Sequence, residues 1–492
     1  MAVWIGVHPS HLILEACQSQ WPASASDAGG LVVVERERVV ALDAAARALG
    51  LTLGMRRAGV LALAPNVHIH VRDPHREEVL VRGLAYALLQ FTPAVVIEAE
   101  SVVLMEVGAS LRLFGGVRAL RARVRALVAS FGITGAVSLA ATGAAAWVLA
   151  RGLRGGVAMK SSTLQRALAR TPIAAAPPAR EFSQWFEELG CFTLADLQRL
   201  PRAGLKKRCG PALLDWLDQV TGAAPVAYEW LTTPPTFDSR IELPDRVERA
   251  DALMFAARRL ILQMTGWLAT QQLDVAGFTL TLEHERGREA IAPTQIDIAL
   301  GSPTRFEEHL VRLAKERLAN TTLVAPAITL RLHADRVQRA AAPSESLFPE
   351  PGGTPQDHAR LIELLSARLG AENVIVPAPV ADHRPEIAAR WLPLHDAPRK
   401  IPDFPLNLPR PVWLLDEPVQ LIMRGHRPVY GTPLRMVSPG ERIEGGWHDG
   451  HVVTRDYYVA QDDTGVHYWV FQERVSAREE REPRWFLHGL FG

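Results

Sequence analysis

Cysteine is scarce: Cys17, Cys191 and Cys209 are far apart and show no CxxC spacing. That argues against a disulfide framework or a structural zinc site, and it points to a reducing cytoplasm. Neither sign of charge is in excess, since 54 Lys and Arg face 53 Asp and Glu for a formal net charge of +1. A global field steering the chain to nucleic acid is thereby excluded, and any such contact has to come from local patches. No apolar run reaches the length of a membrane span, and the N-terminus has no basic region followed by a long apolar core. A soluble, cytoplasmic protein without a membrane partner is expected. No internal repeat of solenoid period is present. Apolar residues, by contrast, make up 48% of 492 residues, and that length favours three or four domains.

Residues 3–7 and the segment GLVVVERERVV read as strands, the second as a hairpin. An alanine-rich helix from about Leu42 ends at Gly50, and another runs from about Pro74 to Gln90. Strand signals return over 94–107. A loop at Phe114-Gly115-Gly116 then leads into a basic helix ending at Phe131, a strand near 136–140 and a helix through Leu149. Residues 174–180, AAAPPAR, hold too much proline for a helix interior and read as a linker. Amphipathic helices broken by Gly and Pro follow, the pattern of helical hairpins. Residues 236–337 then run β-α-β-β-α-β. Residues 339–356, rich in Pro, Gly, Ser and Ala, read as a tether. A final region begins with a helix over 358–369 and ends in β-like sequence and the string WFLHGLFG.

This order resembles the Y-family translesion DNA polymerases, and local strings sharpen the likeness. GLTLGM followed by ALAPNVHIH looks like the family's finger segment, and FTPAVVIEAESVVLMEVGASLRLFGG looks like its second catalytic-strand region. The Leu-Phe-Gly-Gly ending, with ARLGAENV, DHRPE, GERIEGGW, TRDYYVA, HYWVFQER and WFLHGLF, is similar to the ImuB-like, catalytically degenerate branch. The implied fold is α+β and multidomain. It comprises a palm and fingers over 1–165, a helical thumb over 175–233, a little finger over 236–337, a tether over 338–356 and a mainly β C-terminal region over 357–492.

Nucleotidyl transfer by two divalent ions needs carboxylates that hold the metals and polarise phosphate. Active members carry an Asp on the first strand and an Asp-Glu pair on a later one. The resemblance places Gly6, or with a one-residue shift Val7, at the first position and Ser101 and Val102 at the others. No catalytic residue, metal ligand or cofactor is therefore expected. Glu106 takes a structural acidic position, and Arg47 remains from a triphosphate-gripping motif. The alternative is a divergent, active translesion polymerase that uses Mg2+ held by Glu15, Glu98 or Glu100. Glu98 and Glu100, two apart, would share one strand face.

For DNA, the thumb-like module offers Lys206, Lys207 and Arg208 beside Gly204 and Gly210, although the family's Gly-Ile-Gly hairpin is replaced by REFSQWFEELG. The little-finger-like region offers Arg258, Arg286, Arg288 and Arg331, which would track a phosphate backbone if strand-borne cations line one sheet face. Ser344, Glu345, Ser346, Leu347 and Phe348 resemble a sliding-clamp peptide, with Ser at the usual Gln position. Aromatics from Trp447 to Phe471 suggest a small β core, whereas Trp485, Phe486, Leu487, Leu490 and Phe491 read as a docking peptide. Arg455 and Asp456 are candidates for a structural pair. His68, His70, His448 and His451 lack supporting acids for a metal. The partners the resemblance implies are the clamp, primer-template DNA, an ImuA-like RecA-fold accessory protein and an error-prone C-family DNA polymerase, acting in damage-induced (SOS) mutagenesis. A third reading is a DNA-binding structural protein without clamp or polymerase partner.

Overall fold

The computed structural model describes residues 2–17, 30–152, 155–285, 291–340, 355–397, 409–474 and 484–491. It divides into two compact units, Met1–Arg368 and Leu369–Gly492. Among the described residues no helix is long and apolar enough to cross a membrane.

The first unit begins with β1 (Trp4–Pro9) and α1 (Leu12–Glu15). The expected hairpin is β2 (Leu31–Glu35) and β3 (Arg38–Leu42), paired antiparallel through Arg36 and Glu37, both in the left-handed region, as a tight two-residue turn requires. Asp43 caps α2 (Ala44–Ala48), its carboxylate accepting from Ala46 N at 2.7 Å. With α3 (Arg57–Leu63) and β4 (His68–Val71), these elements close a small core around Val32, Val34, Val39 and Val60. Asp73 caps α4 (Pro74–Leu88), whose first residue is the proline that a helix start tolerates.

There follow β5 (Val95–Glu98), β6 (Val102–Glu106), α5 (Val117–Ser130), β7 (Gly135–Ala140), α6 (Gly143–Gly152), β8 (Val157–Ala158) and α7 (Ser161–Leu168). A five-stranded sheet has the order β5-β6-β1-β7-β8. Period-two alternation sorts its side chains. Ile5 and Val7 join the core with α4 and α5, while Trp4, Val102 and Leu104 join the core with α6 on the opposite face.

Residues 174–180 are not a linker. They form two 3-10 turns, Ile173–Ala175 and Pro177–Phe182, and Ala176 and Ala179 are fully buried in the α6-side core. The methyl side chains admit close packing, and Pro177 and Pro178 sit in a helical first turn where no N–H is missed. The same core takes in α8 (Ser183–Glu188), α9 (Leu194–Arg199), α10 (Arg202–Cys209) and α11 (Pro211–Thr221).

Next comes a layer of β9 (Phe237–Val247), α12 (Met254–Gln271), β10 (Leu273–His284), β11 (Thr294–Thr304), α13 (Glu307–Ala319) and β12 (Ala327–Arg339). Its antiparallel sheet has the order β11-β10-β12-β9, and the two helices cover Phe278, Leu280, Leu330 and Leu332. The helix read as the start of the C-terminal region, α14 (Pro355–Leu369), packs here instead. Its Ala367 enters this core. Its Glu363 accepts from Gly301 N at 2.8 Å and Ser302 N at 3.0 Å and hydrogen-bonds buried His309.

In the second unit β13 (Ile375–Pro379) pairs with β14 (Ala389–Pro393). The main sheet contains β15 (Trp413–Arg424), β16 (Arg427–Tyr430), β17 (Thr432–Pro433), β18 (Arg435–Met436), β19 (Glu441–Gly445), β20 (Val453–Gln461), β21 (His467–Glu473) and β22 (Trp485–Leu490). The path is β17-β16-β15-β22-β21-β20-β18, with β19 also on β20.

Candidate functional site

Gly6 lies mid-strand in the five-stranded sheet, opposite Leu104 of β6 and Ser138 of β7. Buried Ser138 donates its hydroxyl to Ala146 O of α6 at 2.6 Å, with Gly6 O at 3.2 Å on its other side. A Cβ at residue 6 would stand 2.7 Å from both Ala146 O and Ser138 Oγ. The sheet and α6 therefore close on the space that a first-strand carboxylate would occupy. Val102 is fully buried in that same core, and Val7 points to the other face. Ser101 sits half-buried in a turn with φ +60°.

The nearby carboxylates do not regroup. Between β5 and β6 the chain turns through a short 3-10 segment, with Glu100 at φ +58°, so the strand alternation expected to align Glu98 and Glu100 does not operate. Glu100 is ion-paired with Arg151 at 3.0 Å and Arg180 at 2.5 Å. Burial pulls its carboxyl upward, but these two guanidinium groups outweigh that and hold it below the usual range. Burial pushes Glu98 up. His8, two residues beyond Gly6, is lowered to about 4 by burial and then by the charge of Arg151. Glu15 is buried elsewhere. It accepts from Thr134 N at 2.6 Å, and burial raises its carboxyl. Glu106 accepts from Val3 N at 3.3 Å and Gly108 N at 3.0 Å, a structural role. Among the described residues no group of three or more His, Cys, Asp or Glu is placed to hold a metal, and the donors present do not fit a divalent pair. Arg47 is exposed on α2.

Among the described residues the expected DNA contacts lie on three separate elements, α10, α12 and β12. Lys206, Lys207 and Arg208 are exposed along α10, with the Arg208 guanidinium 5.6 Å from the Trp185 ring centroid. Arg331 stands on the open face of the four-stranded sheet but is paired with Asp238. Strand alternation puts Arg240 beside it, together with Glu242, Glu283 and Asp297, so that face is mixed in sign. Arg258 is on α12, which covers the other face, and pairs with Glu307 at 3.2 Å. Arg286 and Arg288 lie outside the described residues, as does the clamp-like segment Ser344 to Phe348.

In the second unit the aromatic C-terminus is a strand and not a free docking peptide. β22 is hydrogen-bonded between β15 and β21. Leu487 is buried, Phe486 stacks on Phe471 at 5.0 Å, Trp485 meets Tyr458 at 5.5 Å, and Leu490 and Phe491 pack against the two small cores. The physical reason is that β22 fills the hydrogen-bonding slot between two neighbours and supplies both sheet faces. Arg455 and Asp456 do not pair with each other, because successive strand residues face opposite ways. Arg455 binds Glu386 at 3.1 Å, and Asp456 binds Arg442 at 3.0 Å and Arg474 at 3.3 Å. Sequence reasoning missed a clasp in which buried Arg384 holds Asp382 at 2.9 Å and exposed Asp449 at 2.6 Å. Its guanidinium hydrogen bonds keep both carboxyls at about 2. The only signal was the strings DHRPE and GWHDGH. A second buried pair, Tyr457 Oη and His488 Nδ1 at 2.7 Å, also went unread.

Two curated relatives, both Protein ImuB from strains of Caulobacter vibrioides, are each 28% identical over 470 residues, covering 90% of this chain and 100% of theirs. No family model matches. A solved structure described as a Dbh ternary complex with partially disordered substrates covers 68% of this chain and 99% of its own, at 15% identity and a TM-score of 0.38, and nothing is carried over from it. The chain is ImuB-like over nearly its whole length.

Proposed function

We propose that this ImuB-like chain is a non-catalytic homologue of the Y-family polymerases, an adaptor in DNA-damage tolerance. In this reading it joins a sliding clamp and primer-template DNA to an error-prone C-family polymerase and an ImuA-like RecA-fold protein. The observation that carries the reading is the closed space at Gly6. The residue where a first metal ligand is expected has no room for a side chain, because α6 and Ser138 occupy it. Glu100, one of the candidate replacements, is held by two arginines. The residues 344–348 supply the clamp contact in this scheme, through the Leu347 and Phe348 side chains. The C-terminal partners dock on the folded second unit as a surface, not through a loose terminal peptide.

The test is primer extension by the purified chain with four nucleotides and Mg2+ or Mn2+, beside a DNA-binding measurement. DNA binding without extension is expected. Extension that Glu98→Gln or Glu100→Gln abolishes would establish the divergent-polymerase alternative instead.

A further inference from the structure

Between Glu106 and Glu181 the chain contains no aspartate or glutamate but eleven lysines and arginines, in a protein whose formal net charge is +1. Arg151 and Arg180 of this stretch are taken by Glu100. On α5 no such compensation exists. Arg118, Arg121, Arg123 and Arg125 lie within its 14 residues and Arg112 just precedes it. Among the described residues none of the five makes an ion pair, and Arg123 lies 5.4 Å from the Phe114 ring centroid. The neighbouring acids of α4 are already engaged, Glu77 by Arg72 at 2.7 Å and Glu78 by Arg82 at 2.9 Å. Arg121 donates to Val137 O at 2.8 Å, and both burial and the charge of Arg125 hold it below its ordinary range.

Leu120, Val124 and Leu127 fix the inner face of α5 against the sheet. Helical spacing then places Arg118, Arg121 and Arg125 in one row about 10 Å long, with Arg123 on the opposite flank. The crest between them is half-buried Ala119 with Ala122, Ala126 and Ala129, the last three exposed. Protein partners are anchored by large aromatic or aliphatic side chains, and this crest has none. A phosphate backbone needs only cations it can approach closely, and the guanidinium fork suits phosphate oxygens.

We propose that the solvent face of α5 binds the sugar-phosphate backbone of DNA without reading bases. It forms a second surface on the side of the five-stranded sheet opposite α8 to α11. The inference rests on the reading that this chain engages DNA.

The experiment is fluorescence anisotropy of a labelled primer-template duplex with the full chain, titrated over a series of salt concentrations. For Arg118→Ala/Arg125→Ala we expect the dissociation constant to rise roughly tenfold or more, and the slope of log affinity against log salt to become shallower by about 2. Arg118→Lys/Arg125→Lys should retain most of the binding, which separates lost charge from lost structure. Unchanged affinity and slope in the alanine pair would overturn the proposal. If Lys206→Ala/Lys207→Ala alone weakens binding, the α5 surface is overturned and DNA engagement stands. If the unaltered chain binds no DNA, both fall. Competition by polyglutamate as effective as that of duplex DNA of equal charge would assign α5 to an acidic protein and overturn the nucleic-acid assignment.

Discussion

At residue 6 the missing side chain is itself a packing requirement. Ser138 of the neighbouring β7 bonds Ala146 O of α6 beside β1, and a Cβ on residue 6 would meet Ala146 O and Ser138 Oγ at 2.7 Å. A carboxylate introduced by Gly6→Asp therefore finds no space there. The substitution should destabilise the first unit by about 1–3 kcal/mol through overpacking, and by more for a carboxylate left without partners. Urea unfolding followed by tryptophan fluorescence measures this, and a variant as stable as the parent would show that the space opens readily. Glu100 makes the complementary point. Its carboxylate is exposed enough to be read as a candidate ligand, yet its two bonds to Arg151 and Arg180 determine its chemistry.

Among the elements, β22 shows how context sets the role of a short apolar run. WFLHGL after a charged stretch reads as a docking peptide, since periodicity over six residues does not reveal a strand. The empty slot between β15 and β21 decides it. Leu487→Ala should cost about 2–5 kcal/mol, as for other buried leucines, and should lower the unfolding transition of the second unit. Near-UV circular dichroism of the aromatic core around Tyr457, Trp469 and Phe471 would follow that loss. A substitution without effect on stability would return this segment to the role of a peripheral peptide. Residues 174–180 are the parallel case, where two prolines suggest a linker and two buried alanines make a packed corner.

Across the whole first unit, the β-α-β-β-α-β layer is held to the five-stranded sheet by α12 lying on α4. Gly266 faces Tyr86 so closely that a Cβ there would overlap its carbonyl oxygen, and Gly83 admits the Gln263 side chain. Buried Arg259 on α12 donates to Phe131 O at 2.9 Å and lies 4.2 Å from the Phe255 ring centroid; burial lowers it to about 10. It thereby caps the C-terminal end of α5 with a positive charge. Gly266→Ala should force the two helices apart, at a cost of about 1–3 kcal/mol or more. Faster amide hydrogen exchange in α4 and α12 than in β10 would report it, and unchanged exchange would mean that the helices are not locked by this contact.

Outside residues 174–180 and the C-terminal strand, the main element types and their order were legible in the amino-acid sequence because they depend on local signals. The apolar run of β2, the alternation in β10, and the glycines ending α2 and opening α5 each act over a few residues. That Gly6, Ser101 and Val102 carry no carboxylate was equally legible as residue identity. Tertiary structure alone decided what those positions touch, which cations remain uncompensated, where α14 packs and that β22 is internal. Each of these depends on groups far apart in the chain meeting in space, as Glu100 meets Arg151 and Arg180 and Glu363 meets His309. Periodicity and composition carry no information about such long-range pairings.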